Sequence, residues 1–269
     1  MKAIERKLIE LKKKQPDIGV ATITLNRLPI FQPSLRAVYQ EKTFESQRWK
    51  VSIRGTLGQK HKGLIETILY LRKLYDFDRE NMSLRVLYSE YEVKKYLSQG
   101  TKYSHEWYQK LMEDLMHASI LVQSKIQQGR ARSGTFIEDK KPSDNFIYKT
   151  KSNLPSLKEK ELHYVILEFG EAISYLFAEE FKFTYDPRPI TTLRNGISQA
   201  LVRFLLTFTK HPSAGYHLQP LIEHLEGQLT NKRWWKIREY LKEDTKQLEA
   251  LGVVIDFKKD RVFVIEKLF

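Results

Sequence analysis

Residues 230–251 (TNKRWWKIREYLKEDTKQLEAL) carry an apolar period that only an α-helix can use. At about 100° per residue, Trp234, Ile237, Leu241, Leu248 and Leu251 fall on one face, with Tyr240 at its margin. The opposite face carries Lys232, Trp235, Lys236, Glu239, Lys242, Glu243 and Lys246. The two adjacent tryptophans therefore part company: Trp234 points to a core and Trp235 to the polar side. Immediately afterwards, residues 253–257 and 262–266 alternate as strands around the turn Lys258-Lys259-Asp260-Arg261. Two further helical stretches, 193–208 and 218–225, precede the run. Three helices closed by a β-hairpin form the winged-helix version of the helix-turn-helix, whose third helix enters the major groove of DNA.

The first half of the chain reads in a similar order. Residues 1–14 are a charged helix or tail, and Pro16, Pro29 and Pro33 punctuate a stretch that reads as linker. Order is expected from about Leu35: a strand at 49–55, a long helix at 59–75, a strand at 84–88 and a short helix at 90–97. A helix capped by Ser104 follows, with Trp107, Leu111, Leu115 and Ala118 on one face. Strands at 120–127 and 146–149 then flank 128–145, which is rich in Gly, Ser and Arg and reads as a long hairpin loop. A junction at 157–160, a strand at 162–169, a helix at 171–181 and a strand at 183–185 lead into the second half. The expectation is an α+β, helix-rich fold of two tandem winged-helix domains with β-hairpin wings. The divisions are a basic tail and linker at 1–34, an N-terminal winged-helix-like domain at 35–158 and a DNA-reading domain at 159–269. The halves share no evident sequence identity, so the repeat is architectural.

Lys and Arg total 46 against 33 Asp and Glu, a formal charge of +13, which favours a polyanionic partner. Cysteine is absent, which removes disulfides, thiolate zinc sites and cysteine nucleophiles. No run approaches the roughly 18 apolar residues of a membrane span, so a cytoplasmic protein with no membrane partner is expected. The stretch GQKHKG at 58–63 has the glycine spacing of a phosphate loop, but Leu64 and Ile65 stand where Lys and Ser/Thr are required. The seven histidines form no HExxH or His-x-His pattern, and no G-x-S-x-G elbow is present. No catalytic residue, metal or cofactor is therefore expected.

Charge along 230–251 is uneven. The opening turns hold Lys232, Arg233, Lys236 and Arg238 with one acid, Glu239. A reading helix uses its N-terminal residues, where Lys and Arg can reach guanine edges or phosphates and an indole can lie against a thymine methyl or a sugar. The hairpin tip, with Lys258, Lys259 and Arg261, suits backbone or minor-groove contact. The counterpart helix from Ser104 shows Glu106, Gln109, Lys110, Glu113, Asp114 and His117 and is not basic. The basic groups of that half are Lys125, Arg130, Arg132, Lys140 and Lys141 around the expected loop, which suits backbone contact and leaves this half an accessory or dimerising role. The candidate DNA-binding residues are thus Lys232, Arg233, Trp235, Lys236, Glu239, Lys258, Lys259, Arg261, Arg130 and Arg132.

Several short motifs recur in a familiar order: Pro33-Ser34-Leu35-Arg36, Trp49 with Ile53-Arg54-Gly55, Leu57-x-Gln59-x-His61, Tyr164-Val165-Ile166, and Leu248-x-x-Leu251-Gly252 before the closing hairpin. In this order the chain resembles the TrfA-type plasmid replication initiators, a group with paired winged helices. The resemblance implies a plasmid-encoded protein that binds double-stranded DNA at directly repeated origin sites (iterons), helps melt an adjacent AT-rich segment and recruits the host initiator and replicative helicase. It also implies exchange between a dimer and an origin-binding monomer, and no catalysis. It places DNA contact on Lys232, Arg233, Trp235 and Lys236 and on the wing. A winged-helix transcriptional regulator is the alternative with the same binding physics.

Overall fold

The computed structural model describes residues 19–98, 105–127, 130–149 and 161–265, with backbone alone at 141–149 and 161–163. Residues 1–18, including the expected N-terminal helix, lie outside the described residues. The fold is mixed α+β, with antiparallel sheets.

The expected linker is instead packed. β1 (Ala21–Thr22) leads into α1 (Ile23–Arg27), and Val20, Ala21, Leu25, Leu28, Ile30 and Phe31 are all buried. Prolines set the local backbone, but burial of these apolar side chains outweighs the loss of chain freedom. β2 (Gln40–Glu45) and β3 (Trp49–Gly55) form a hairpin. β3 alternates as its sequence requires: Trp49, Val51 and Ile53 are buried while Lys50 and Arg54 face out.

The long helix α2 (Gln59–Leu71) is buried on nearly every side. It stops four residues before the expected end. Arg72 turns extended, and Tyr75 joins β4 (Leu74–Asp78), where it faces Val86 of β5 (Ser83–Ser89). Strand pairing outweighs the helical spacing of Leu71 and Tyr75 there. α3 (Glu90–Ser98) and α4 (His105–His117) follow.

The expected hairpin across 128–145 is replaced by two pairings. β6 (Ser119–Ser124) pairs with β7 (Ala131–Thr135) to complete a sheet of order β2-β3-β6-β7. β8 (Ile137–Lys149) pairs with β9 (Glu161–Phe169) in a second sheet of order β4-β5-β9-β8. β7 reads ARSGT and is an edge strand with Ala131, Arg132 and Ser133 exposed, so it needs no apolar alternation. The division expected at 158/159 runs between two paired strands of one sheet. α5 (Glu171–Glu179) and β10 (Lys182–Phe183) close this half, with β10 paired back to β1.

After a single helical turn at Arg188–Thr191, the remainder comprises α6 (Gly196–Leu205), β11 (Tyr216–His217), α7 (Leu218–Glu226), α8 (Asn231–Glu243), α9 (Thr245–Ala250), β12 (Val253–Asp256) and β13 (Arg261–Val264), with sheet order β11-β13-β12. The expected single helix over 231–251 is broken at Asp244. This buried carboxylate accepts the backbone N–H groups of Arg194 and Asn195 at 2.9 and 3.0 Å, just ahead of α6.

The two halves follow one order of elements. Helix α2, strand β5, helices α3 and α4, and strands β8 and β9 correspond to α6, β11, α7, α8, β12 and β13. In each, the last strand lies between the first and the second. A continuous hydrophobic core joins them.

Candidate nucleic-acid interface

The corner between α7 and α8 begins at Gly227, whose φ of +94° suits glycine and ends α7. Thr230 then caps α8, its hydroxyl accepting the Arg233 N–H at 3.3 Å. Ile237 and Leu241 are fully buried beneath the helix. On the outer side Lys232, Trp235 and Lys236 are exposed, and Trp235 leaves 67% of its surface in solvent. The indole shares this outward face with two lysines that form no ion pair among the described residues. The Lys236 Nζ lies 5.6 Å from the centre of the Tyr240 ring.

Other charges of this helix are structural. Arg233 reaches back to Glu226 of α7, with contacts of 2.5 and 3.3 Å, so it bolts α8 to α7. Glu239 accepts from Lys242 at 2.7 Å. Arg238 was not among the expected site residues. Its Nη2 donates to the Phe257 carbonyl at 2.5 Å, and its guanidinium lies 5.8 Å from the rings of Trp234 and Phe257. It ties α8 to the hairpin and roofs Trp234, which is half-buried rather than fully enclosed. Only its place between the outward and inward faces signals this role in sequence.

At the hairpin tip Lys258 and Lys259 are exposed. Their backbone N–H groups each donate to Asp256 Oδ1 at 3.0 Å. Those donors hold the Asp256 carboxyl below the usual carboxylate range, the Lys259 amide most of all. Asp260, at φ +52°, turns the chain so that its carbonyl accepts the Leu218 N–H at 2.9 Å, which docks the tip on the start of α7. Arg261 stands off the tip, half-buried, with Nη1 donating to the Gly215 carbonyl at 3.2 Å.

In the first half the basic groups are mostly neutralised. Arg132 pairs with Glu171 at 3.2 Å, Lys125 with Glu45 at 3.2 Å and Lys140 with Glu90. Arg130 is exposed without an ion pair among the described residues, and the Lys141 side chain lies outside them. α4 exposes Glu106 and Glu113, while Asp114 turns inward to His61 Nε2 at 3.1 Å. The ring accepts the Gly58 N–H on Nδ1 at 3.0 Å, and burial lowers its pKa. Among the exposed arginines outside the expected set that form no ion pair among the described residues are Arg36 and Arg194; Arg79 and Arg188, by contrast, lie against the rings of Phe77 and Tyr96. The sequence offered no periodic signal for Arg36 or Arg194, since both stand in irregular segments.

Among the described residues no group of three or more acidic or histidine side chains is placed to hold a metal, and no helix is long and apolar enough to cross a membrane. Comparison with family models, characterised proteins and solved structures gave no match.

Proposed function

We propose that this chain is a duplex-DNA-binding replication initiator whose second half, α6 to β13, is a winged helix that reads sequence with α8. The carrying observation is the face formed by Lys232, Trp235 and Lys236, which stands in solvent above a sealed floor of Ile237 and Leu241. In a winged helix this face enters the major groove while the Lys258-Lys259 tip rests on backbone. The recurrence of the same strand order in the first half supports a second winged helix there. Its less basic α4 suits an accessory or dimerising role. The order of motifs shared with TrfA-type initiators supports action at repeated origin sites, with the host initiator and replicative helicase as partners and a dimer–monomer exchange.

A ligand-sensing regulator would need a pocket. The enclosed cavities beside Phe31 and Lys62 hold about 10 Å³ each, room for about one water, and the larger recess of about 400 Å³ lined by Lys42, Ser52, Arg54 and Leu121 is an open depression on the β2-β3-β6 sheet rather than an enclosed pocket.

The test starts from a random duplex pool. Selection at about physiological salt should return one short motif, and plasmids bearing direct repeats of it should gain permanganate-reactive thymines when the protein binds. Recovery of no motif, with no duplex affinity at that salt, overturns the reading.

A further inference from the structure

We propose that the DNA-contacting surface continues past α8 onto the start of α6 and the 33–37 loop, where Arg36 and Arg194 hold phosphates of the same duplex. This rests on the reading of α8 given above.

The path is continuous in contacts. From Lys236 to Tyr240 is about 6 Å along the helix axis. The Tyr240 carbonyl accepts from Asn195 Nδ2 at 3.1 Å, next to Arg194. One residue on, Gly196 presses against Ser34, and a Cβ there would stand 2.7 Å from Ser34 Cα. Gly58, ahead of α2, meets the same residue: its Cβ would lie 2.7 Å from the Ser34 carbonyl oxygen. Ser34 is thus gripped between two helix starts, and its hydroxyl bonds the N–H and carbonyl of Arg36 at 3.0 Å each. The backbones beneath both arginines are pinned while their guanidinium groups are free of acids among the described residues.

Two carboxylates border the path and both are engaged. Glu239 is held by Lys242 at 2.7 Å, and Glu243 accepts from Asn195 Nδ2 at 3.0 Å. The amides ahead of α6 cannot bind phosphate themselves, because Asp244 occupies those of Arg194 and Asn195. Any anion drawn to this place must be held by side chains. Two exposed arginines on held backbone, joined to α8 by this chain of contacts, suit a polyphosphate track better than a single acidic group.

The experiment uses the full chain and the selected duplex, with dissociation constants followed by fluorescence anisotropy across salt. Arg36→Ala and Arg194→Ala should each flatten the slope of log affinity against log salt by about 0.9, and the pair by about twice that. The same slope corresponds to about a fivefold loss per residue at about 0.15 M salt. Base preference and the unfolding midpoint should stay at wild-type values, and Arg→Lys at each position should restore most of the slope. A double variant that keeps wild-type slope and affinity, while Lys236→Ala still weakens binding, overturns this extension and leaves α8 as the reading helix. A double variant that shifts base preference instead overturns phosphate contact. A wild-type chain that ignores duplex DNA but binds acidic peptides overturns both proposals together.

Discussion

Arg203 of α6 forks onto Glu66 of α2, its Nε donating to both carboxylate oxygens at 2.9 and 3.0 Å and its Nη2 to one at 2.6 Å. Both side chains are wholly enclosed, and each comes from the central helix of a different half. Gln59 accepts from Arg203 Nη1 at 2.8 Å and the Tyr185 hydroxyl donates to Glu66 at 2.7 Å. Burial pushes the Tyr185 hydroxyl well above its ordinary pKa, so it remains a donor. The halves are therefore joined by a hydrogen-bonded ion pair within an apolar seam. Such a pair fixes their relative placement more than it adds net stability.

The two partners should not be equally costly to lose. Lys62 stands beside the pair, and its ammonium can take over the charge of Glu66 when Arg203 is gone. Removal of Glu66 leaves the buried Arg203 guanidinium without an anion and takes from Lys62 the carboxylate that favours its charge. Glu66→Leu is expected to cost about 3–5 kcal/mol, and Arg203→Leu clearly less. Urea unfolding measures both. An equal loss would show that Lys62 does not share the carboxylate.

Lys62 itself makes stability depend on pH. It is fully buried, with Nζ donating to the Leu25 carbonyl at 2.5 Å and lying 5.8 Å from the centre of the Phe31 ring. Burial pushes its pKa down to about 7. Below that value both folded and unfolded chains carry the proton, and the desolvation penalty is complete. Above it the folded chain sheds the proton first, so stability should climb from about pH 7 toward the unfolded lysine's 10.5, by at most about 1.4 kcal/mol per unit. Lys62→Met should remove this climb and be the more stable protein at pH 6. A wild-type chain whose difference from Lys62→Met is flat over that range would disprove the assignment.

Elements with their own apolar period were legible in sequence: β3, the body of α2, α7, and the closing hairpin. What escaped was set by partners distant in the chain. β7 is a polar edge strand whose pairing with β6 replaces any signal of its own. Nothing in Lys242-Glu243-Asp244-Thr245 forbids a continuous helix; the break follows from the amides of Arg194 and Asn195 waiting for the Asp244 carboxylate. Segment 19–34 looked like linker because its prolines are conspicuous and its apolar residues keep no period. The site divides in the same way. The outward turn of Trp235 follows from counting 100° per residue, whereas the engagement of Arg233 by Glu226 and of Arg261 by Gly215 needs the positions of α7 and the loop before β11.

Base readers and backbone holders should separate in binding data. Trp235→Ala and Lys236→Ala are expected to lower affinity for the selected duplex by about 1–3 kcal/mol each and to relax discrimination at the bases they touch. Lys259→Ala should weaken all duplexes alike and flatten the salt dependence by about 0.9. Anisotropy titrations on the selected and a scrambled duplex distinguish the two classes. Equal losses on both duplexes for Trp235→Ala would remove α8 as a reader.

Arg233 and Arg238 lie on the same helix as the proposed readers, yet their partners point to a different outcome. Arg233 serves Glu226 across the corner, a partly exposed pair that contributes about 0–1 kcal/mol. Arg238 closes α8 against the hairpin through the Phe257 carbonyl, and its guanidinium lies over Trp234. Arg238→Ala should therefore lower the unfolding midpoint more than Arg233→Ala. It should weaken DNA binding only through loss of hairpin order, visible as faster amide exchange at 253–264. Arg233→Gln, which can still donate to Glu226, should bind the selected duplex with near wild-type discrimination. If Arg233→Gln instead relaxes base preference as Lys236→Ala does, the arginine leaves Glu226 for the groove and belongs with the reading face.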